Sequence, residues 1–341
     1  MTVAVLIPTK NRPDFIERTL AYYDALKSEH PIYIGDASSP EIAARMQAFV
    51  RTLAHAKVRY FHWEGVRAAE TTVKLAQCAQ AESAYCALHG DDDYLIPASL
   101  SRCAEFLSAN ADYRTAQGRA ALITLDRPGP YGELRAVVEY WGVNGLDEES
   151  GAERFRTFGH KYFISAFSTH RTDEFVRDSE HYAGVRDDSF AELLQCYIFA
   201  IRGKSKFLDC LYLIRHDHDS RFHPSVVDWI VREHWSADYH KTIEVVGQAL
   251  AETDGLPPGE ARQAAADTLR MYVNSRLGFG SGVGGGGLLG TVKRLVPLPV
   301  KRAIRQMMVP PLAAREMRAL ASERSRFHHD FAPVVRSFSR R

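Results

Sequence analysis

Ala87-Leu88-His89-Gly90-Asp91-Asp92-Asp93-Tyr94-Leu95-Ile96-Pro97 decides the reading of this chain. An apolar run that begins at Tyr85 stops at three consecutive acids, and Pro97 opens a new helical pattern. A buried strand that ends in carboxylates suits a site outside the C-terminal edge of an open α/β sheet, where such folds bind ligands. Adjacent carboxylates repel, so the triplet calls for a counter-ion. Asp oxygens suit Mg²⁺ or Mn²⁺, with substrate phosphates completing the shell. A solvated turn, whose acids favour the following helix start, is the simpler alternative.

Working outward, Val3 to Ile7 is a strand-like apolar run, followed by the loop Pro8-Thr9-Lys10-Asn11-Arg12-Pro13. Asp14 is a candidate cap for a helix over 15–26. Ile32-Tyr33-Ile34 is a second strand, ended by Gly35-Asp36, and Pro40 starts a helix near 41–53. A third strand is expected at 57–61, a helix at 71–84, the acid-ended strand at 85–89 and a helix from Pro97 to about 108. This β-α-β-α-β-α-β order predicts a mostly parallel sheet flanked by helices. It brings Thr9, Asp36 and the acid triplet to one sheet edge. Further strands are expected at 120–125, 135–140 and 207–214, and helices at 148–158, from 173, and from 187 or 188 to 200. The segment 160–168 fits either strand or helix. Residues 226–252 read as a long helix or helix pair, and 260–276 as another helix after Pro257.

The 341 residues carry 43 basic and 42 acidic side chains, so the formal charge of +1 gives nucleic-acid binding no support. Five cysteines without C-x-x-C spacing suggest reduced thiols and a cytoplasmic protein, with no signal peptide or apolar span in view. The organisation expected is a domain over 1–222, with halves 1–110 and 111–222. A helical extension at 223–277, a glycine-rich linker at 278–290 and a basic amphipathic segment at 291–341 follow it. Residues 293–341 hold twelve Lys and Arg against three Asp and Glu. Such a segment suits either the surface of an anionic membrane, making the protein peripheral, or a tail docked on the domain.

Val5 to Arg12, Ile34-Gly35-Asp36-Ala37-Ser38-Ser39 and Gly90-Asp91-Asp92-Asp93-Tyr94 together resemble the N-terminal signatures of family 2 glycosyltransferases. Within that family the chain is similar to a bacterial branch with an Asp-Asp-Asp-aromatic turn, over about residues 2–220. The resemblance implies the GT-A fold and inverting transfer of a sugar from a nucleoside diphosphate sugar, UDP-sugars being favoured, to a saccharide or lipid-linked acceptor, as in polysaccharide biosynthesis. It implies that Pro8, Thr9 and Arg12 line the nucleotide pocket and that Asp36 meets the base. Asp91 and Asp93 match the D-x-D element, with Asp93 the expected metal ligand, Asp91 on the ribose or the metal's shell, and Asp92 beside them. Asp188 aligns with the general base and Asp187 with the acid before it, although one Asp there would also serve as a helix cap. His216 or His218 is expected to reach the metal or the diphosphate. The chain departs from the family at Arg67 to Lys74, where Arg67 or Lys74 could face the diphosphate, or Lys74 could pair with Glu70 along a helix. Trp141, Trp229 and Trp235 could stack on a sugar, with packing the default. Two other readings compete: a sugar nucleotidyltransferase, and a protein that binds sugar nucleotides without catalysis.

Overall fold

The computed structural model describes residues 1–140, 144–160, 162–218, 226–277 and 318–339. The glycine-rich 278–290 and the most basic part of the C-terminal segment lie outside them.

The first half alternates as the apolar spacing predicts. β1 (Ala4–Thr9), β2 (Ile32–Asp36), β3 (Val58–His62) and β4 (Tyr85–Leu88) pair in parallel in the order β3-β2-β1-β4. α1 (Pro13–Ala25), α2 (Pro40–Val50) and α3 (Ala68–Gln80) make the crossovers. α1 starts one residue before Asp14: Arg12 is its cap position and Pro13 fills its first turn. Asp14 instead bonds Arg45.

Beyond the acid turn come β5 (Tyr94–Leu95), α4 (Pro97–Ala109), β6 (Tyr113–Leu125), β7 (Leu134–Glu139), α5 (Gly151–His160), β8 (Thr169–Arg171), α6 (Thr172–Ser179), α7 (Asp188–Arg202) and β9 (Lys204–His216). The ambiguous segment 160–168 holds a 3₁₀ turn, Ser165–Phe167, that leads into β8. The sheet continues β4-β8-β6-β9-β5, with β7 on β6. β8 is antiparallel to both neighbours, while β6 and β9 run parallel. This second half is therefore mixed. β6 and β9 span 13 residues each, longer than the apolar runs suggested, because their polar ends still pair.

Both faces of the parallel half are covered, so its strands read as apolar rather than alternating. Val3, Val5, Ile7, Ile32 and Ile34 pack with α1 and α4, whereas Ala4, Leu6 and Tyr33 pack with α3, α6 and Phe199. A third cluster joins α5 and α7 to α8 (Val226–Ile230), α9 (Trp235–Asp254) and α10 (Pro258–Arg276). The expected helix over 226–252 is thus a pair, α8 and α9.

α11 (His328–Phe338) returns to the start of the chain. Leu320, Phe327, Phe331, Val334 and Phe338 are buried in the same cluster as Ile16 and Leu20 of α1. Phe338 O accepts from Gly132 N, and Ser337 Oγ lies 2.7 Å from the Tyr94 hydroxyl. Over 318–339 the tail docks on the domain. No described helix is long and apolar enough to cross a membrane.

Candidate active site

Parallel strands that end at one edge deliver the first loop and the acid turn together: β1 lies between β2 and β4. His89 N bonds Leu6 O, and Asp93 N closes the turn on Gly90 O at 3.1 Å. A Cβ at Gly90 would sit 2.9 Å from Asp93 Oδ2, so a larger residue there would push the Asp93 carboxylate aside.

The triplet's counter-charges are supplied by protein. Asp91 accepts from Thr9 Oγ1 at 2.9 Å and from Arg12 Nη1 at 2.6 Å. Asp93 accepts from Arg215 Nε at 3.1 Å and from His216 N at 3.2 Å. Asp92 Oδ2 accepts from Arg12 Nη1 at 3.0 Å and lies 2.8 Å from His218 Nε2. Behind the turn, Arg18 gives Nη2 to Asp92 O at 2.6 Å and Nη1 to Pro130 O at 2.9 Å. Its Nη1 also lies 3.2 Å from His216 Nδ1, which must accept because a guanidinium only donates.

Burial dominates Asp91 and Asp93 and pushes both carboxyls up to about 6, against the pull of Arg12 and Arg215. Burial also opposes charge on Asp92, but its bonds to His218 and Arg12 prevail and hold that carboxyl well below the usual range. Burial therefore disfavours the charge on the outer two acids, while its neighbours favour it on the middle one.

Among the described residues no group of three His, Cys, Asp or Glu side chains converges as a metal cage. Asp91 and Asp93 commit their oxygens to guanidinium, hydroxyl and backbone donors, and His216 Nδ1 faces Arg18. These do not present a ligand set in this arrangement. Asp92 Oδ2 is likewise engaged, by Arg12 and by His218 at 2.8 Å, so any of these acids would have to exchange a hydrogen bond for an ion. The Asp92–His218 pair would offer two ligands, which suits an ion such as Mg²⁺ or Mn²⁺, whose remaining positions go to water and phosphate.

The other expected pocket residues divide. Pro8 and Thr9 end β1 beside the triplet, and Thr9 pairs in register with Asp36. Asp36 is wholly buried; Oδ1 accepts from Ser38 N at 2.8 Å and Oδ2 from the Tyr60 hydroxyl at 2.6 Å. It anchors the turn after β2 and presents no exposed surface to a ligand in this arrangement. Lys74 is exposed, with Nζ 5.2 Å from the Trp63 ring centre, rather than at the acid turn or paired with Glu70.

Asp187 is the cap of α7. Oδ1 accepts from Ser189 N, Phe190 N and Trp229 Nε1, and Oδ2 from Arg232 Nη1 at 2.7 Å. Burial is outweighed by these donors, which hold the carboxyl below its ordinary value. The pairing of two catalytic acids is corrected by this: one acid is consumed by the helix start, which leaves Asp188 in the first turn. Arg67 Nη2 donates to Asp188 Oδ1 at 3.1 Å, so the departure at Arg67 meets the first turn of α7. Glu192 lies one helical turn from Asp188, and its charge reaches Arg215 at the acid turn. Trp229 and Trp235 pack against Phe190, as the default reading had it, and Trp141 lies outside the described residues.

Arg18, Arg215, Glu192 and Tyr140, whose hydroxyl accepts from Arg215 Nη1 at 3.1 Å, were not singled out by the sequence. Arg18 sits on an otherwise apolar helix face and Arg215 at a strand end, positions where only the fold shows the carboxylates nearby.

No protein-family model and no curated protein sequence matches the chain. Solved structures do. S. aureus TarS 1-349 aligns with 14% identity over 99% of this chain and 89% of that one, at a TM-score of 0.50. The same portion in complex with UDP-GlcNAc aligns with 14% identity over 99% and 90%, at 0.49. A mannosyltransferase from Pyrobaculum calidifontis, in complex with GDP-Man and Mn²⁺, aligns with 13% identity over 98% and 86%, at 0.37. The first establishes a likeness of fold: a mixed α/β, glycosyltransferase-like architecture of GT-A type with a helix at its C-terminal end.

Proposed function

We propose that this chain is an inverting, metal-dependent glycosyltransferase that takes a sugar from a nucleoside diphosphate sugar, with UDP the favoured carrier. One observation carries the reading. Within a GT-A-like sheet, the acid turn after β4, the Thr9–Arg12 loop after β1 and His218 after β9 meet at Asp92.

Asp92 and His218 would hold Mn²⁺ or Mg²⁺, which supplies positive charge where a departing diphosphate gathers negative charge. Arg12, half-buried between Asp91 and Asp92, is placed to add a fixed guanidinium to that charge. Asp188, held by Arg67, is the base that takes the acceptor's hydroxyl proton as the new bond forms on the face opposite the diphosphate. The acceptor is a saccharide or lipid-linked saccharide. The basic stretch before residue 318 would hold the protein to an anionic membrane surface on the cytoplasmic side.

The test is a panel of nucleotide sugars with the full chain and Mn²⁺, reading release of nucleoside diphosphate. Turnover of one UDP-sugar that stops with EDTA is expected. Release of pyrophosphate from a nucleoside triphosphate and a sugar phosphate would replace this reading with nucleotidyl transfer. Binding without turnover across many acceptors would replace it with a non-catalytic role.

A further inference from the structure

Tyr94 directly follows the acid triplet and is wholly buried in β5, where it pairs with Ile214 of β9. A sealed hydroxyl needs its partner inside the protein. Among the described residues that partner is Ser337 Oγ of α11, 2.7 Å away and 243 positions further along the chain. Ser337 gives its single proton to Val334 O at 2.7 Å, so in this pair Tyr94 donates and Ser337 accepts.

A second contact from α11 reaches the same turn by another route. Phe338 O accepts from Gly132 N at 3.1 Å, and the loop before Gly132 is closed by bonds between Asp126 and Glu133. Pro130 O of that loop accepts from Arg18 Nη1 at 2.9 Å. The two routes meet at Arg18. Its guanidinium lies 4.8 Å from the centre of the Tyr94 ring and donates to Asp92 O at 2.6 Å. Its Nη1 is 3.2 Å from His216 Nδ1, and His216 N donates to Asp93. The apolar side chains of α11 hold it against α1, but apolar packing has no direction. Hydrogen bonds do, so these two set the alignment of Tyr94 and of the 126–132 loop.

We propose that Ser337 and Tyr94 are positioning residues for the acid turn, and that α11, docked through them, fixes the backbone on which Asp92 and Asp93 are presented. The consequence for catalysis rests on the acid turn being the site of the function proposed above.

Ser337→Thr and Ser337→Val are nearly equal in volume, and only the first keeps the acceptor. The experiment follows amide hydrogen exchange at Asp93, at His216 and along β3 in the full chain, together with the imidazole resonances of His216. In Ser337→Val the Asp93 and His216 amides should exchange about tenfold faster than in Ser337→Thr (about 1.4 kcal/mol), the worth of one hydrogen bond. The imidazole of His216 should shift in Ser337→Val and match wild type in Ser337→Thr. The amides of β3, at the opposite edge of the sheet from β5, should keep wild-type rates. Tyr94→Phe removes the donor instead and should reproduce the effect, and combining it with Ser337→Val should add nothing further. Equal behaviour of the Thr and Val variants, acceleration shared equally by β3, or additive effects in the combined variant overturns the proposal. These measurements need no metal, donor or sugar transfer, so failure here is distinguishable from failure of the function proposed above.

Discussion

Three adjacent carboxylates hold three different positions in this molecule, and the difference comes from what each one touches. Asp91 and Asp93 face inward to Arg12 and Arg215, while Asp92 faces His218. Asp92→Asn and His218→Ala should each lower Mn²⁺-dependent donor turnover by about 10²–10³-fold while the thermal melt stays near wild type. Normal turnover in either variant removes that residue from the metal. Asp93→Asn is expected to behave differently, because it takes the paired carboxylate from the half-buried Arg215. Its melting temperature should fall before its chemistry can be read. Asp188→Asn should keep donor affinity and lose transfer by about 10²–10⁴-fold, the range of a general base. If transfer is unchanged, Asp188 is merely the first acid of a helix.

At the scale of the element, α7 shows how one function can hide another. Asp187 and Asp188 are indistinguishable as letters, and two acids in a row favoured a catalytic pair. Backbone geometry decided which was spent on capping. Asp187→Ala should cost about 1–2 kcal/mol from the cap alone, measured by chemical denaturation, with Arg232 losing its partner as well. β1, β2 and β4 were legible because each is a short apolar run closed by a Gly, Pro or Asp, and β3 by the alternation of Val58 and Tyr60. β6 and β9 were only partly legible, since Arg119, Lys206 and Asp209 interrupt them, and Arg119 pairs with Asp209 across the sheet. The Arg-rich balance of the acid turn was not legible, because Arg12 and Arg18 reach the triplet from the start and middle of α1 and Arg215 from the end of β9. β8 adds a pH dependence. His170 is buried against Phe175 and Phe199, and burial lowers its imidazole to about 3, below an unfolded value near 6.5. Between those values the unfolded chain binds the extra proton, so stability present above pH 6.5 is lost as pH falls toward 3. Urea midpoints should drop through that window, and His170→Gln should flatten the slope by about one proton. An unchanged slope would assign the acid sensitivity elsewhere.

For the whole molecule, the C-terminal segment is the part that composition described least well. A local excess of positive charge suggested either a membrane surface or a docked tail, and the described portion docks through Phe327, Phe331 and Phe338. Phe331→Ala should destabilise the protein by about 3–5 kcal/mol, which would be seen in both the melting temperature and donor affinity, because the cluster it enters also supports α1. If the melt does not move, the tail is an appendage. Sedimentation with anionic liposomes at low salt tests the remaining basic stretch separately.

Sharing one interior between the first helix and the last also orders events during synthesis. While the nascent chain is still on the ribosome, α1 and the strands beside it present an oily flank whose cover has not yet been translated. Premature termination anywhere upstream of α11 would therefore yield a sticky product that invites chaperones, even though every signature motif had already been made.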